Sequence, residues 1–365
     1  MIEKFVPPAF SRADLDLGSL EKLFNKQLHY ASNGRSALYQ VILANQGWTK
    51  MLIPTYVCSS VIIPLRKANI EPVFYDINPD DLNGSLDSLE YMAGKHSVRA
   101  ALLPSMYGNP ADLERAEELC QNKGIYLIDD AAQSFGARVH DRYVGSFGNA
   151  GFFSVSPGKP LAGHMGAFYW ADQTAELLRT RHDFVHYIKW LDFWIRRLNA
   201  YTSSKFIGLN PLLEYGTVAL TKFIDLSLDS MAPFEAPILG GLLKSSLSGQ
   251  FEFRQKYFSE FEKRFSESNH FSLVCSLRGA PKNHKIVLRC VSPEIATNLR
   301  SFLAQRQIYT SGGYPLLSQG GGHLKNAAQI NGCIVELPIE DDAHRMAYLF
   351  DIVQKFNDGR NTDDR

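Results

Sequence analysis

The chain lacks the features that mark secreted, membrane-spanning or nucleic-acid-binding proteins. Its five cysteines among 365 residues are scattered and show no CxxC or metal-like spacing, so neither a disulfide framework nor a metal site is predicted. Lys plus Arg and Asp plus Glu number 38 each, which leaves no net charge to attract nucleic acid or anionic lipid. No apolar run reaches the roughly 18 residues of a spanning helix, and residues 1–18 lack the order of a signal peptide. We therefore expect a soluble, cytoplasmic protein.

Strand-like and helix-like segments alternate through the first 170 residues. The period is helical from Leu20 to Ala44, broken by residues 32–36. The strand-like runs MLIP, PVFYDI, AALLP and YLIDD follow, with predicted helices over residues 59–68 and over 111–124, the second ending at Gly124. This alternation predicts an α/β fold with a mostly parallel sheet between helices. Ligands of such sheets bind at the carboxyl ends of strands, so we expect residues 54–56, 106–108 and 129–130 to line one cleft. No GxGxxG follows the first strand, which argues against an NAD-binding fold.

The pattern changes after residue 173. Residues 174–230 are aromatic-rich and largely helical, which is typical of a core or subunit-interface helix; a membrane-surface helix over residues 182–226 is the alternative. An amphipathic helix over 242–265 and the strand-rich stretch after 271 predict a smaller α+β domain. We expect a large domain over 1–235, a connecting helix and small C-terminal domain over 236–356, and a polar tail over 357–365.

An acid, a serine and a lysine lie within the stretch from residue 126 to residue 169. Asp129 and Asp130 end an apolar strand, and Ser154 and Lys159 follow a polar loop. A buried strand-end acid needs a cationic partner, and a lysine next to it suits pyridoxal phosphate (PLP), which requires an amine, an acid for its ring nitrogen and donors for its phosphate. Taken alone, Asp129 and Asp130 also fit a solvated turn, and Lys159 also fits an exposed loop. The prediction of a PLP site therefore depends on the order and spacing of these residues.

The start of the helix after residue 33 is the predicted phosphate site. Either Asn33 or Gly34 can cap this helix, and the first-turn N–H groups of Gly34, Arg35 and Ser36 then point at an anion. An ordinary helix cap is the alternative interpretation.

Six motifs occur in one order along the chain and are specific as a set: Gly34-Arg35-Ser36-Ala37-Leu38, Pro72-Val73-Phe74-Tyr75-Asp76, Asp129-Asp130-Ala131-Ala132-Gln133, Gly145-Ser146-Phe147-Gly148, Phe153-Ser154-Val155 with Lys159, and Leu337-Pro338-Ile339. This order resembles the DegT/DnrJ/EryC1/StrS family of PLP-dependent nucleotide-sugar aminotransferases, in the fold-type-I aspartate aminotransferase superfamily. The resemblance is close over residues 30–170 and weak over the last hundred.

The resemblance implies a role for each matching residue. Lys159 would bind the cofactor covalently and move a proton during transfer. Asp130 rather than Asp129 would hold the pyridine nitrogen, because it stands three residues before Gln133, which would contact the cofactor O3′. The phosphate would lie between Ser154 and the backbone of residues 34–36.

Some positions depart from the family pattern. Arg35 replaces a usual threonine and either adds a charge-assisted phosphate contact or points away. Cys58 occupies the position where the family usually has an aromatic residue that stacks on the cofactor ring. Stacking is therefore weaker here, or a neighbour such as Tyr56 provides it. Residues 163–166 differ from the usual loop after the lysine, and the segment that reaches the partner's cofactor is not recognisable.

The resemblance implies an aminotransferase that moves an amino group from an amino acid, with glutamate as the expected donor, to a keto carbon of a nucleotide-linked sugar. Such an enzyme would be a homodimer that serves polysaccharide or secondary-metabolite biosynthesis. One alternative is a PLP-fold protein without turnover that acts as a binding or regulatory component. Another is a PLP-dependent sugar dehydratase, although that branch replaces the lysine with histidine and this chain has Lys159.

Overall fold

A seven-stranded mixed sheet forms the centre of the first half of the chain. The computed structural model describes residues 17–31, 33–155, 158–160, 166–173 and 250–359. The strand order is β1-β9-β8-β5-β4-β2-β3, and β9 alone runs against the other six. The strands are β1 His29–Ala31, β2 Lys50–Pro54, β3 Glu71–Tyr75, β4 Ala100–Pro104, β5 Tyr126–Asp130, β8 Ala150–Ser154 and β9 Ala167–Ala171; β6 Arg138–Val139 and β7 Arg142–Tyr143 form a separate hairpin.

Helices cover both faces of this sheet because its strands are apolar on both sides. Neighbouring residues of a strand point to opposite faces, so Leu127 packs into one apolar cluster and Ile128 into the other. The helices around the sheet are α1 Leu17–Phe24, α2 Gly34–Ala44, α3 Ile62–Lys67, α4 Leu86–Lys95 and α5 Leu113–Lys123. Side chains of α2 and α3 pack with Ile128, whereas those of α1, α4 and α5 pack with Leu127.

A three-stranded antiparallel sheet organises the last hundred residues. Its order is β10-β11-β12, formed by Phe271–Leu273, Lys285–Cys290 and Ile334–Pro338. Helices α6 Gln250–Phe265, α7 Pro293–Ala304 and α9 Ala343–Asn357 pack on it around a separate apolar cluster, and the short helix α8 Lys325–Ile330 precedes β12.

A further apolar cluster joins the two sheets. Tyr56 and Met106, which follow strands of the large sheet, pack with Val287 and Ile334 of the small one. The carboxyl ends of β2 and β4 therefore face the small sheet, and this places the cleft of the molecule between them.

The predicted elements are largely present, with corrections. The sequence predicts a helix from Leu20 onwards. This prediction is wrong over residues 29–31, which form β1 and pair with β9. The helix predicted around residues 59–68 begins as a single 3₁₀ turn, Ser59–Val61, before α3. Helix α9 ends at Asn357, one residue beyond the predicted boundary. The boundary at residue 235, the segment 174–230 and residues 360–365 lie outside the described part of the chain.

No helix within the described ranges is long and apolar enough to span a bilayer.

Candidate active site

Three strand ends of the large sheet converge as the sequence predicts. Tyr56 follows β2 and Tyr107 follows β4, and their hydroxyl oxygens lie 2.7 Å apart. The backbone N–H of Tyr107 donates to Gln133 Oε1 at 3.4 Å, which ties the end of β4 to the turn after β5. The side chain of Gln133 is buried here, close to Asp130 along the chain. The ends of β2, β4 and β5 therefore meet as predicted, with the exception of Asp129, whose side chain lies on the other face of the sheet.

The two aspartates of β5 point to opposite faces of the sheet. Asp129 Oδ2 accepts the backbone N–H groups of Gly145 at 2.6 Å and Phe147 at 3.2 Å. Burial raises the pKa of Asp129 to about 8, although these two N–H groups oppose the rise. Asp129 therefore holds the loop that leads to β8 and does not face the cleft.

Asp130 is the acid that faces the lysine. Its Oδ1 accepts the backbone N–H of Ala132 at 2.9 Å, and its side chain is almost fully buried. Burial raises the pKa of Asp130 to about 6, opposed by the Ala132 N–H and by the positive charge of Lys159. The structure thus separates the two aspartates that are adjacent in sequence and brings Asp130 to Lys159.

Lys159 lies in a half-buried loop that α6 holds in place. Arg254 of α6 donates from Nη1 to the carbonyl oxygen of Pro160 at 2.9 Å. Burial lowers the pKa of Lys159, while the neighbouring Cys58 and Asp130 raise it. A lysine amine with a lowered pKa is more often neutral, and the neutral amine is the form that attacks a carbonyl carbon.

The start of α2 lies against Ser154 at the end of β8. Asn33 is the N-cap, and its Oδ1 accepts Ser36 N at 3.0 Å and Ser36 Oγ at 3.2 Å. A Cβ added to Gly34 would lie 3.3 Å from Ser154 Cβ and 3.5 Å from its Oγ, so any larger residue would narrow the space between α2 and Ser154. Arg35 Nε lies 3.5 Å from Asn33 Oδ1. The N-terminus of an 11-residue helix and a hydroxyl thus share one spot, which suits a phosphate.

Cys58 and Tyr56 occupy different environments. Cys58 is half-buried, its Sγ lies 3.1 Å from Ser60 Oγ, and it belongs to the charge surroundings of Lys159. Tyr56 is buried, with its ring at 5.9 Å and 77° to that of Tyr314 and its hydroxyl engaged by Tyr107. Tyr56 therefore packs towards the small sheet.

The small sheet contributes residues that the sequence did not indicate. His284, directly before β11, is buried, and its ring lies 6.4 Å from that of Tyr107 at 25°. Burial and the charges of Lys159 and Lys285 lower the pKa of His284 well below its usual value, and its buried Nδ1 has no hydrogen-bond partner. Glu336 of β12 joins the same cluster. The resemblance is weak in this half, and no spacing links these residues to Lys159.

The donors assembled here fit PLP. An amine faces a buried carboxylate, a helix N-terminus lies beside a hydroxyl, and a buried imidazole nitrogen lacks a partner. The strand order, the single antiparallel strand and the lysine in the loop after β8 define the fold of a fold-type-I PLP-dependent transferase.

Comparison with known proteins shows which family the first half of the chain resembles. Residues 25–180 match the DegT/DnrJ/EryC1/StrS aminotransferase family. GDP-perosamine synthase from Escherichia coli O157:H7 is 28% identical over 149 residues, 39% of this chain and 40% of that protein. The dTDP-4-dehydro-2,3,6-trideoxy-D-glucose 4-aminotransferase of Saccharopolyspora spinosa is 23% identical over 91% of this chain and 81% of its own length.

A solved structure extends the likeness to nearly the whole fold. The E. coli GDP-4-keto-6-deoxy-D-mannose-3-dehydratase with bound hydrated PLP superposes with a TM-score of 0.67 at 16% identity, covering 92% of this chain and 90% of that one. Residues 163–165 of the altered loop after Lys159 lie outside the described residues, and so do residues 231–242, which stand where the family has the segment that reaches the partner's cofactor.

Proposed function

We propose that the protein is a PLP-dependent aminotransferase that moves an amino group from an amino acid, glutamate being the expected donor, to a keto carbon of a nucleotide-linked sugar. The product would serve polysaccharide or secondary-metabolite biosynthesis. The observation that carries the proposal is that the half-buried Lys159 acts electrostatically on the buried Asp130, while the start of α2 lies against Ser154. The names of the relatives, a perosamine synthase and a sugar 4-aminotransferase, support it.

The residues divide the work by position. Bound PLP supplies an electron-withdrawing ring that weakens the C–H bond next to the amino group. The carboxylate of Asp130 would keep the ring nitrogen protonated, and Gln133 would contact the ring oxygen. The Nζ of Lys159 takes and returns the proton, which the neutral amine favoured by burial does well.

The remaining predicted residues line the cofactor. The backbone N–H groups of Gly34 and Arg35 and the Ser154 hydroxyl would bind the phosphate, whereas the N–H of Ser36 is donated to Asn33 Oδ1. Cys58 would lie near the cofactor because it belongs to the surroundings of Lys159, and Tyr56 contributes through its contact with Tyr107.

Visible absorbance of the purified protein after addition of PLP tests the proposal. We expect a band from covalently bound PLP, bleached by glutamate with formation of pyridoxamine phosphate. In Lys159→Ala the band should be absent, because the bond to the cofactor needs this amine. A wild-type protein that stays colourless would rule out both transamination and dehydration and favour a non-catalytic binding protein.

Pyridoxamine phosphate bound to the protein then provides the second test. Mixed with a panel of nucleotide-linked keto-sugars, it should return to PLP with the sugar that is the substrate, and mass spectrometry should detect the amino-sugar. Loss of water from the sugar without gain of nitrogen would instead identify a dehydratase.

We further propose that the chain divides at residue 235, that it is a cytoplasmic homodimer and that residues 357–365 form a polar tail. Sedimentation at several concentrations tests the dimer. Flotation with liposomes tests the membrane-surface alternative for residues 182–226, which predicts recovery with the lipid.

A further inference from the structure

A buried glutamate of the small sheet receives partners from three separate segments. Glu336 is 5% exposed, and its Oε1 accepts the hydroxyl of Tyr107 at 2.7 Å. Its Oε2 accepts the hydroxyl of Ser311 at 2.5 Å and pairs with the ammonium group of Lys285. These polar partners hold the buried carboxylate at a fixed place.

The hydrogen bonds of this cluster run in one direction. The hydroxyl of Tyr107 donates its hydrogen bond to Glu336. Tyr56 must therefore be the donor in the 2.7 Å hydrogen bond between the two tyrosine hydroxyls. The oxygen of Tyr56 then accepts the backbone N–H of Tyr314 at 3.3 Å. Each hydroxyl donates once and accepts once, and the series ends on the carboxylate of Glu336.

Tyr107 is held in a conformation that few side chains adopt. Its φ of 58° and ψ of 15° lie in the left-handed region, where a bulky residue persists only if its surroundings fix it. Its backbone N–H donates to Gln133, and its hydroxyl donates to Glu336. Tyr107 therefore connects the carboxylate of the small sheet to Gln133 in the turn that follows Asp130.

The charges of the cluster also reach Lys159. The groups that act on its amine are Cys58 and Asp130 from the large sheet and Lys285 and Glu336 from the small one. His284 adds a neutral imidazole next to them, and Arg254 adds a cation on the Pro160 side. Lys285 would repel a proton on Lys159, and Glu336 offsets that repulsion.

We propose that Glu336 is a positioning residue for Lys159: it fixes Tyr107 across the two sheets and neutralises Lys285 beside the reacting lysine. The role rests on the proposed function only in that Lys159 is the reacting amine. Lys285 and Glu336 then form a matched pair whose members act on Lys159 in opposite directions.

Reductive methylation of the full chain prepared without PLP measures this role directly. Its rate at Lys159, followed by mass spectrometry of the peptide over a series of pH values, gives the pH midpoint of that amine. In Glu336→Gln the midpoint should fall by roughly half to one pH unit, because a negative charge is lost while an oxygen remains to accept from Tyr107. In Lys285→Met it should rise by a similar amount, and the double variant should return close to wild type.

Glu340→Gln is the matched control, because Glu340 pairs with Arg345 outside the cluster and should leave the midpoint unchanged. Midpoints equal to wild type in both single variants would overturn the proposal, as would shifts of the same sign. If Glu336→Gln does not fold, Lys285→Met alone tests the proposal. A rise of the Lys159 midpoint in that variant supports the proposal, and an unchanged midpoint contradicts it. A protein that stays colourless after addition of PLP would contradict the proposed function. Unchanged pH midpoints of Lys159 would contradict only the role proposed for Glu336.

Discussion

Adjacent aspartates in β5 show how one residue step changes the chemistry of a carboxyl group. Asp130 faces Lys159, while Asp129 faces the loop whose Gly145 has a φ of 94°. A Cβ at Gly145 would lie 2.1 Å from the ring of Phe153, so there is no space for a side chain at this position. Asp129 stabilises this loop through two N–H contacts, and its Oδ1 is buried without a partner.

The raised pKa of Asp129 predicts a pH-dependent stability. In the unfolded chain the acid loses its proton near pH 3.8, whereas in the folded protein it keeps it up to about pH 8. The folded state thus binds more protons in this window, and the free energy of unfolding falls as pH rises, by up to ~1.4 kcal/mol per pH unit. Asp129→Asn removes this titration and keeps an oxygen for the two N–H groups.

Thermal melts of the PLP-free protein at several pH values check this expectation. The midpoint temperature of wild type should decline relative to that of Asp129→Asn as pH rises through the window. If the midpoint temperatures of the two proteins changed with pH in parallel, Asp129 would be ionised throughout and the predicted pH dependence would be wrong.

At the scale of elements, helix α2 places its first turn where glycine is required. A Cβ at position 34 would come within 3.3 Å of Ser154 Cβ and narrow the proposed phosphate space. We expect Gly34→Ala to weaken PLP binding roughly tenfold, about 1.4 kcal/mol, with little change in the stability of the PLP-free protein. A spectroscopic titration with PLP gives the dissociation constant.

Gly94 of α4 offers the matched control, because nothing lies within 4 Å of a Cβ added there. Gly94→Ala should raise stability by about 0.5–1 kcal/mol, as alanine does inside a helix, and leave PLP binding unchanged. Equal PLP affinity in both variants would mean that the start of α2 does not bind the phosphate.

Local pattern was sufficient to predict most elements of the large sheet. The apolar runs of β2, β4 and β5 and the spacing within α2 and α5 are strong signals, and Gly124 ends α5 with a φ of 64° as its position suggests. Helices α4 and α9 were not predicted, although their N-caps Ser85 and Asp342 mark their starts. Residues 29–31 became a strand because β9 offers an antiparallel partner, which no local period reveals.

At the scale of the whole molecule, half of the candidate site comes from contacts between distant segments. Asp130, Gln133, Ser154 and Lys159 lie within 30 residues and could be predicted as a group. Glu336 meets Tyr107 across a separation of 229 residues, and an isolated glutamate in an apolar strand carries no sign of its partner. Such residues become visible only once both sheets have been placed.

A second long-range acid holds the two sheets together. Asp76, just after β3, is buried, and its Oδ2 accepts Asn326 N at 2.9 Å while its Oδ1 accepts Ala327 N at 2.9 Å. Both N–H groups belong to the first turn of α8, where the helix dipole favours a negative charge. The Asn326 side chain returns a hydrogen bond to the carbonyl of Ile77 at 2.8 Å.

We expect Asp76→Asn to lower the free energy of unfolding by about 1–3 kcal/mol, because the NH2 of the new side chain cannot accept one of the two backbone N–H groups. Denaturant unfolding measures this loss, and hydrogen exchange should speed up in peptides covering α8 while those covering β5 stay protected. Asp87→Asn is the control: Asp87 pairs with Arg115 at an exposed position, and such pairs contribute at most about 1 kcal/mol. Equal losses in the two variants, or faster exchange in β5 as well, would show that Asp76 does not act at the junction, since only a junction contact loosens α8 alone.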